Sequence, residues 1–325
     1  RGQPGQFILT GSAAPAEDQT RHAGAGRMAR LTLRPMTLLE QSVSTGQVRL
    51  TDLFSKDISV GGMGGPTVSE YAELIVKGGW PALQRLNAAA AMDALTDYVD
   101  NLADVDLRTL NGRPDPVRMT ALLKALARNT STEAALQKLA AEAEIPSGNL
   151  SVPTVRKYLD QLTRIFVLEE LPAWKPHIRS SIQTRIKPKW HFVDPSLATA
   201  ALGASADSLL EDLNAMGLLF ESMVVRDLRV YADVVDARVF HYRDSTGLEI
   251  DAIVERRDGE WIGVEVKLGG EKAIEEAVVN FGKLRTRLTD RRLGHLAALC
   301  IVTGGQASYT RPDGIHVISV GHLRT

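Results

Sequence analysis

At 325 residues, 44% hydrophobic and 24% charged, the chain is long enough for two or three globular domains. A net charge of -1 excludes a global basic field, so contact with nucleic acid would have to come from local patches. The one cysteine, Cys300, excludes an intrachain disulfide and a cysteine-based zinc site, which fits a reducing, cytoplasmic setting.

No apolar stretch approaches membrane-spanning length and the start has no signal-peptide pattern, so no membrane partner is expected. The chain opens on Arg1, not Met, shortly before an apolar run. We read it as the carboxy-terminal portion of a longer protein.

Residues 6–12 (Gln6-Phe7-Ile8-Leu9-Thr10-Gly11-Ser12) read as a buried strand ending in a polar loop, and 13–25 as a loop or short helix. Residues 30–35 alternate as a second strand, with a short helix at 36–41. The Gly-rich 60–66 reads as a flexible connection. Residues 69–76 are helical and stop at Gly78-Gly79-Trp80-Pro81, a glycine end with proline beyond it. A further helix is expected over 87–107.

Three short helices follow, at 117–128, at 132–144 with Thr132 as N-cap, and at 151–166 with Ser151 or Pro153 at its start. A strand at 166–171 completes a winged-helix pattern, whose third helix carries Arg156, Lys157 and Arg164 toward DNA. An ordinary helical packing or protein-contact module fits the same pattern. Between Trp174 and Trp190 lie Lys175, His177, Arg179, Arg185, Lys187 and Lys189 with no acid among them. Such a run suits phosphate contact, or a solvated loop. A strand at 189–195 leads into a helix at 196–202, and Asp194 is expected to hold that helix start.

The last third carries the chemistry. A helix over 208–232 holds Glu221 inside an apolar run. Next comes a hairpin, Leu248-Glu249-Ile250-Asp251-Ala252-Ile253-Val254, a turn at Arg257-Asp258-Gly259, then Trp261-Ile262-Gly263-Val264-Glu265-Val266-Lys267-Leu268. Side chains two apart on a strand share a face, so Glu265 lies with Lys267 and Glu249 with Asp251. Carboxylates hold a hard cation through oxygen, and a lysine steadies a water or the developing phosphate charge. Asp251, Glu265 and Lys267 are therefore the candidate catalytic set, and Asp251, Glu265 and Glu221 the candidate Mg²⁺ ligands. Polar alternation on a solvated hairpin is the plain alternative. A helix over 271–289 and a buried strand over 296–303 complete this region.

The Asp…Glu-x-Lys pattern resembles that of restriction-endonuclease-like (PD-(D/E)xK) nucleases. The ordered set Ile8-Leu9-Thr10-Gly11-Ser12, Gly26-Arg27, Arg34-Pro35-Met36, Gly78-Gly79-Trp80-Pro81, Phe192-Val193-Asp194-Pro195, Phe220-Glu221 and the hairpin is similar to a prokaryotic family of AAA-type ATPases with a carboxy-terminal domain of unknown function. That resemblance implies a mixed α/β chain. Its parts would be an ATPase-core remnant at 1–60, a helical linker at 61–112, a winged-helix-like domain at 113–195 and a restriction-endonuclease-like domain at 196–325. It implies that Thr10 or Ser12 senses the ATP γ-phosphate, that Arg27 faces phosphate or a neighbouring subunit, and that copies assemble through the ATPase part.

The sequence departs from the family in one respect. Nothing matches G-x-x-x-x-G-K-[ST], and Gly61-Gly62-Met63-Gly64-Gly65-Pro66 has no lysine. This chain alone is expected to bind ATP poorly and not to hydrolyse it. Three functions fit: the carboxy-terminal part of an ATP-driven protein acting on nucleic acid, a metal-dependent nuclease, and a non-catalytic DNA- or protein-interaction module.

Overall fold

The computed structural model describes residues 7, 8, 10, 11, 31–55, 58–102, 115–146, 148–175 and 187–325. The fold is mixed α/β. Its elements are β1 (Val48–Arg49), β2 (Gly61–Met63), α1 (Val68–Lys77), α2 (Ala88–Leu102), α3 (Pro116–Arg128), α4 (Leu136–Glu142), β3 (Glu144–Ile145) and β4 (Gly148–Asn149). These lead into α5 (Val152–Arg164), β5 (Leu168–Leu171), β6 (Lys189–Phe192), α6 (Pro195–Leu202), α7 (Ala206–Glu211) and α8 (Leu213–Val234). The chain ends with β7 (Ala237–Arg243), β8 (Glu249–Arg256), β9 (Trp261–Lys267), α9 (Glu271–Arg287), α10 (Asp290–Leu293), β10 (Leu296–Thr303), β11 (Ala307–Thr310), β12 (His316–Ser319) and β13 (Leu323–Arg324).

One seven-stranded sheet, in the order β2-β11-β12-β10-β9-β8-β7, organises the carboxy-terminal half. The hairpin β8–β9 is antiparallel. Its turn closes through a Gly259 N–H donated to the Arg256 carbonyl, with Gly259 at φ 90°, a backbone angle open to glycine. β10 lies parallel to β9, a pairing that needs a crossover, and α9 supplies it. Both faces are covered. Ala298, Cys300 and Val302 of β10 join the α8 side, while Leu299 and Ile301 pack with Ala277, Phe281 and Leu284 of α9. The burial expected of Cys300 is observed.

The helical half rests on local signals that the sequence carries. Thr67 and Glu70 form a capping box on α1, Ser151 caps α5 by accepting from Thr154 N–H, and Asp194 caps α6 through Ser196 N–H. Asp194 also ties the halves together. Its Oδ2 accepts from Gly79 N–H at 2.9 Å and from Arg226 at 2.7 Å, while Arg226 also grips Asp227, which accepts from Leu38 N–H. Trp80 donates to Ser196. At Gly79 a Cβ would lie 2.2 Å from the Met36 carbonyl oxygen, so only glycine permits this approach. The Gly-Gly-Trp-Pro and Asp-Pro motifs thus meet at one buried node.

Several expectations need correction. Phe7, Ile8, Leu31 and Leu33 are exposed and lie outside regular structure. No strand among the described residues accepts their backbone groups, and an unpaired segment is not a strand. Residues 36–41 form turns, not a helix. The Gly-rich segment holds an edge strand, β2, paired with β11. Helix α4 starts at Leu136 under Ala135, because Thr132 instead bridges to Trp190. The helix expected over 208–232 is two helices, broken at Asp212, whose side chain caps α8. Strands β1, β3, β4, β7, β11, β12 and β13 were not anticipated.

Candidate functional site

Four carboxylates and two lysines converge at one end of the β8–β9 hairpin. Lys267 Nζ lies 2.7 Å from Glu265 and 3.7 Å from Asp251, so one ammonium touches both acids. Asp251 Oδ2 also accepts from the Val266 N–H at 2.7 Å, which locks its carboxylate against the neighbouring strand. Glu265 Oε1 accepts from Asn280 on α9. From the opposite face, α8 brings in Glu221, which accepts from Lys189 Nζ at 2.8 Å. The same ammonium lies 2.7 Å from Glu249 and 3.9 Å from Asp251. Glu249 is also 3.4 Å from Arg243.

A β-bulge places Asp251. Between the pairs Phe240↔Ile253 and Tyr242↔Ile250, β8 has two residues where β7 has only His241. Ile250 and Ile253 therefore both enter the α9-side core although three apart. Bulges re-aim side chains in this way. Simple two-residue alternation does not show it.

Burial governs the electrostatics. It pushes Glu265 up to about 8, with the Asp251 charge adding to the effect and Lys267 opposing it. Burial likewise carries Glu221 up to about 8, against the pull of Lys189. Burial alone would lower both lysines, but the carboxylates around each outweigh it and hold them above the ordinary lysine value. Beside the cage, His241 donates from Nε2 to the Lys187 carbonyl, and burial with the Lys189 charge lowers it to about 4. His191, wholly buried, is held well below its usual value by burial and by the charges of Arg229 and Lys189.

Asp251, Glu265, Lys267 and Glu221 are thus brought into one cluster. Of the residues taken from the ATPase resemblance, Thr10 alone lies among the described residues. Thr10 is exposed, and Ser12 and Arg27 lie outside the described residues. Lys189, expected in an exposed basic loop, is instead 1% exposed and ion-paired. Lys175 and Lys187 are exposed, whereas His177, Arg179 and Arg185 lie outside the described residues. Sequence reasoning missed the roles of Lys189, Glu249 and Asn280. The alternation Lys189-x-His191 in an apolar strand was the available signal, since it sets two polar groups on one buried face.

Among the described residues no three His, Cys, Asp or Glu side chains converge as a metal cage. A Mg²⁺ site does not require one. The ion keeps several waters and takes one or two carboxylates together with substrate phosphate. Asp251 and Glu265 fit that donor set.

Residues 68–208 match a family described as a domain of unknown function (DUF8612), and residues 216–323 match a second domain of unknown function (DUF4143). The cage spans both matched regions, with Lys189 from the first and the four acids from the second. Two mycobacterial relatives, the uncharacterized protein Mb2031c of Mycobacterium bovis and the uncharacterized protein Rv2008c of Mycobacterium tuberculosis, are each 25% identical over 99% of this chain. The chain spans 64% of the length of each. No helix among the described residues is long and apolar enough to cross a membrane.

Proposed function

We propose that this chain is the carboxy-terminal portion of an ATP-dependent protein, and that its sheet domain is a restriction-endonuclease-like, Mg²⁺-dependent module acting on nucleic acid. One observation carries the reading: Asp251 and Glu265 stand on adjacent strands with a single lysine, Lys267, in reach of both. The element order supports it. A helix, three antiparallel strands, a crossover helix and a parallel strand (α8, β7, β8, β9, α9, β10) are what a nuclease core of this type needs to set two acids and a lysine together. The match to a domain of unknown function at 216–323 falls where the family resemblance has one. The mycobacterial relatives extend beyond the aligned part, which leaves room for a phosphate loop.

In this reading Asp251 and Glu265 would hold the cation, which would supply Lewis-acid polarisation of phosphate and a more acidic bound water. Lys267 steadies that water or the charge developing on phosphate. The exposed Arg156 and Lys157 of α5, with Lys175 and Lys187 in the connection between β5 and β6, follow the phosphate backbone in winged-helix fashion. The same surface would serve assembly with nucleic acid in the whole ATPase.

The test is a labelled duplex and a labelled single strand with Mn²⁺, for wild type, Lys267→Ala and Asp251→Ala. Wild type is expected to cut, and both variants to bind but cut at least about 100-fold more slowly, the scale of a lost acid–base group. No cleavage by wild type, with binding equal in all three, would leave a non-catalytic interaction module.

A further inference from the structure

We infer that Lys189 is the resident cation of the acid cage: its ammonium takes the place of a second metal ion and restricts the site to one divalent cation, at Asp251 and Glu265. The inference rests on the nuclease-type reading for the identity of that one ion. Its own basis is geometric. Lys189 Nζ stands between Glu221 at 2.8 Å, Glu249 at 2.7 Å and Asp251 at 3.9 Å, and the residue is 1% exposed. Sites that use two metals set them roughly 3.5–4 Å apart and share a carboxylate between them. Here Asp251 is the shared group, with Oδ1 toward Lys189 and Oδ2 toward Lys267 and the Val266 N–H.

The ammonium cannot readily leave. Its strand is fixed on one side by the pairing of Lys189 with Leu171 and at the next residue by the bridge from Trp190 to Thr132. Buried carboxylates need a counter-charge, because burial otherwise drives them to their neutral form. Replacing Lys189 by an uncharged side chain therefore leaves Glu221, Glu249 and Asp251 as an all-oxygen set, the ligand class that hard divalent cations prefer. A merely structural lysine would lose stability on replacement without creating a new metal site.

The experiment counts Mn²⁺ per chain by calorimetry and by paramagnetic resonance, and follows thermal unfolding in chelator and in Mn²⁺. Wild type is expected to bind one ion. Lys189→Met should bind two, and Mn²⁺ should raise its melting temperature more than that of wild type, since the extra ion binds the folded state alone. Adding Glu249→Gln to Lys189→Met should return the count to one. Two ions on wild type, or no gain in Lys189→Met, would overturn the inference. A Lys189→Met chain that stays unfolded in both chelator and Mn²⁺ would overturn it too. Should wild type bind no ion and cut nothing, the nuclease reading fails. An ion gained by Lys189→Met alone would still identify Lys189 as the cation of the cage.

Discussion

The two buried glutamates make the stability of this protein depend on pH in a direction unusual for carboxylates. Glu265 and Glu221 each sit near 8 in the fold against an ordinary value of 4.5. Above 4.5 the unfolded chain releases these protons while the folded chain keeps them. Each group's contribution is therefore complete below 4.5 and is lost as pH rises toward 8. The histidines act with the opposite sign. His241, lowered to about 4, and His191, lowered well below its ordinary value, favour the fold above 6.5 and lose that benefit as pH falls. Between 4.5 and 6.5 the two effects oppose each other. From 6.5 to 8 the two glutamates carry the pH dependence. At about 1.4 kcal/mol per pH unit for each group, 1.5 units and two glutamates come to roughly 4 kcal/mol. The proximity of Asp251 to both acids makes their losses interdependent, so that figure is an upper bound.

Urea unfolding of wild type and Glu265→Gln at pH 6.5, 7.2 and 8 reads this directly. Wild type should lose stability across the series, and Glu265→Gln should lose about half as much. Glutamine keeps the oxygen that accepts from Asn280 and removes the titration. A flat wild-type profile, or an equal fall in the variant, would refute the reasoning.

Mn²⁺ binding at pH 7 should release protons, because a cation between Asp251 and Glu265 needs the latter ionised. Calorimetry in buffers of different ionisation enthalpy would measure the number released, and zero would count against a metal at Glu265. Neutralising Arg156, Lys157, Lys175 and Lys187 should reduce the salt slope of duplex binding by up to about 0.9 for each phosphate that no longer meets a cation, as read by binding isotherms at several salt concentrations. An unchanged slope would remove this surface from the interface. Arg226→Ala leaves Asp194 and Asp227 buried without their cation and should cost about 3–5 kcal/mol in chemical unfolding. A loss below about 1 kcal/mol would mean that the node is held by the hydrogen bonds from Gly79 and Leu38 alone.

Elements whose cause is local were legible in the sequence. Ser151 and Asp194 start helices wherever the chain goes, because they satisfy the free N–H groups of the first turn themselves. Asp258-Gly259 turns the hairpin for the same kind of reason, and the apolar run of β10 appears as read. The pairing of Glu265 with Lys267 follows from the two-residue period of β9. The short strands β11, β12 and β13 have no such signature, since a strand of two to four residues is defined by its partners' hydrogen bonds.

The tertiary structure alone decided the site's charge. Helices on both faces of the sheet bury Glu265 and Glu221, which turns ordinary surface acids into groups that hold their protons. The bulge opposite His241 sets the direction of Asp251. Lys189, 62 positions from Asp251 in the chain, enters the cage only because β6 is carried there by its pairing with β5 and by the packing of α6 and α8. A sequence specifies which side chains can meet a charge. Which of them do depends on long-range packing, where desolvation and the distance to a counter-charge set the energy.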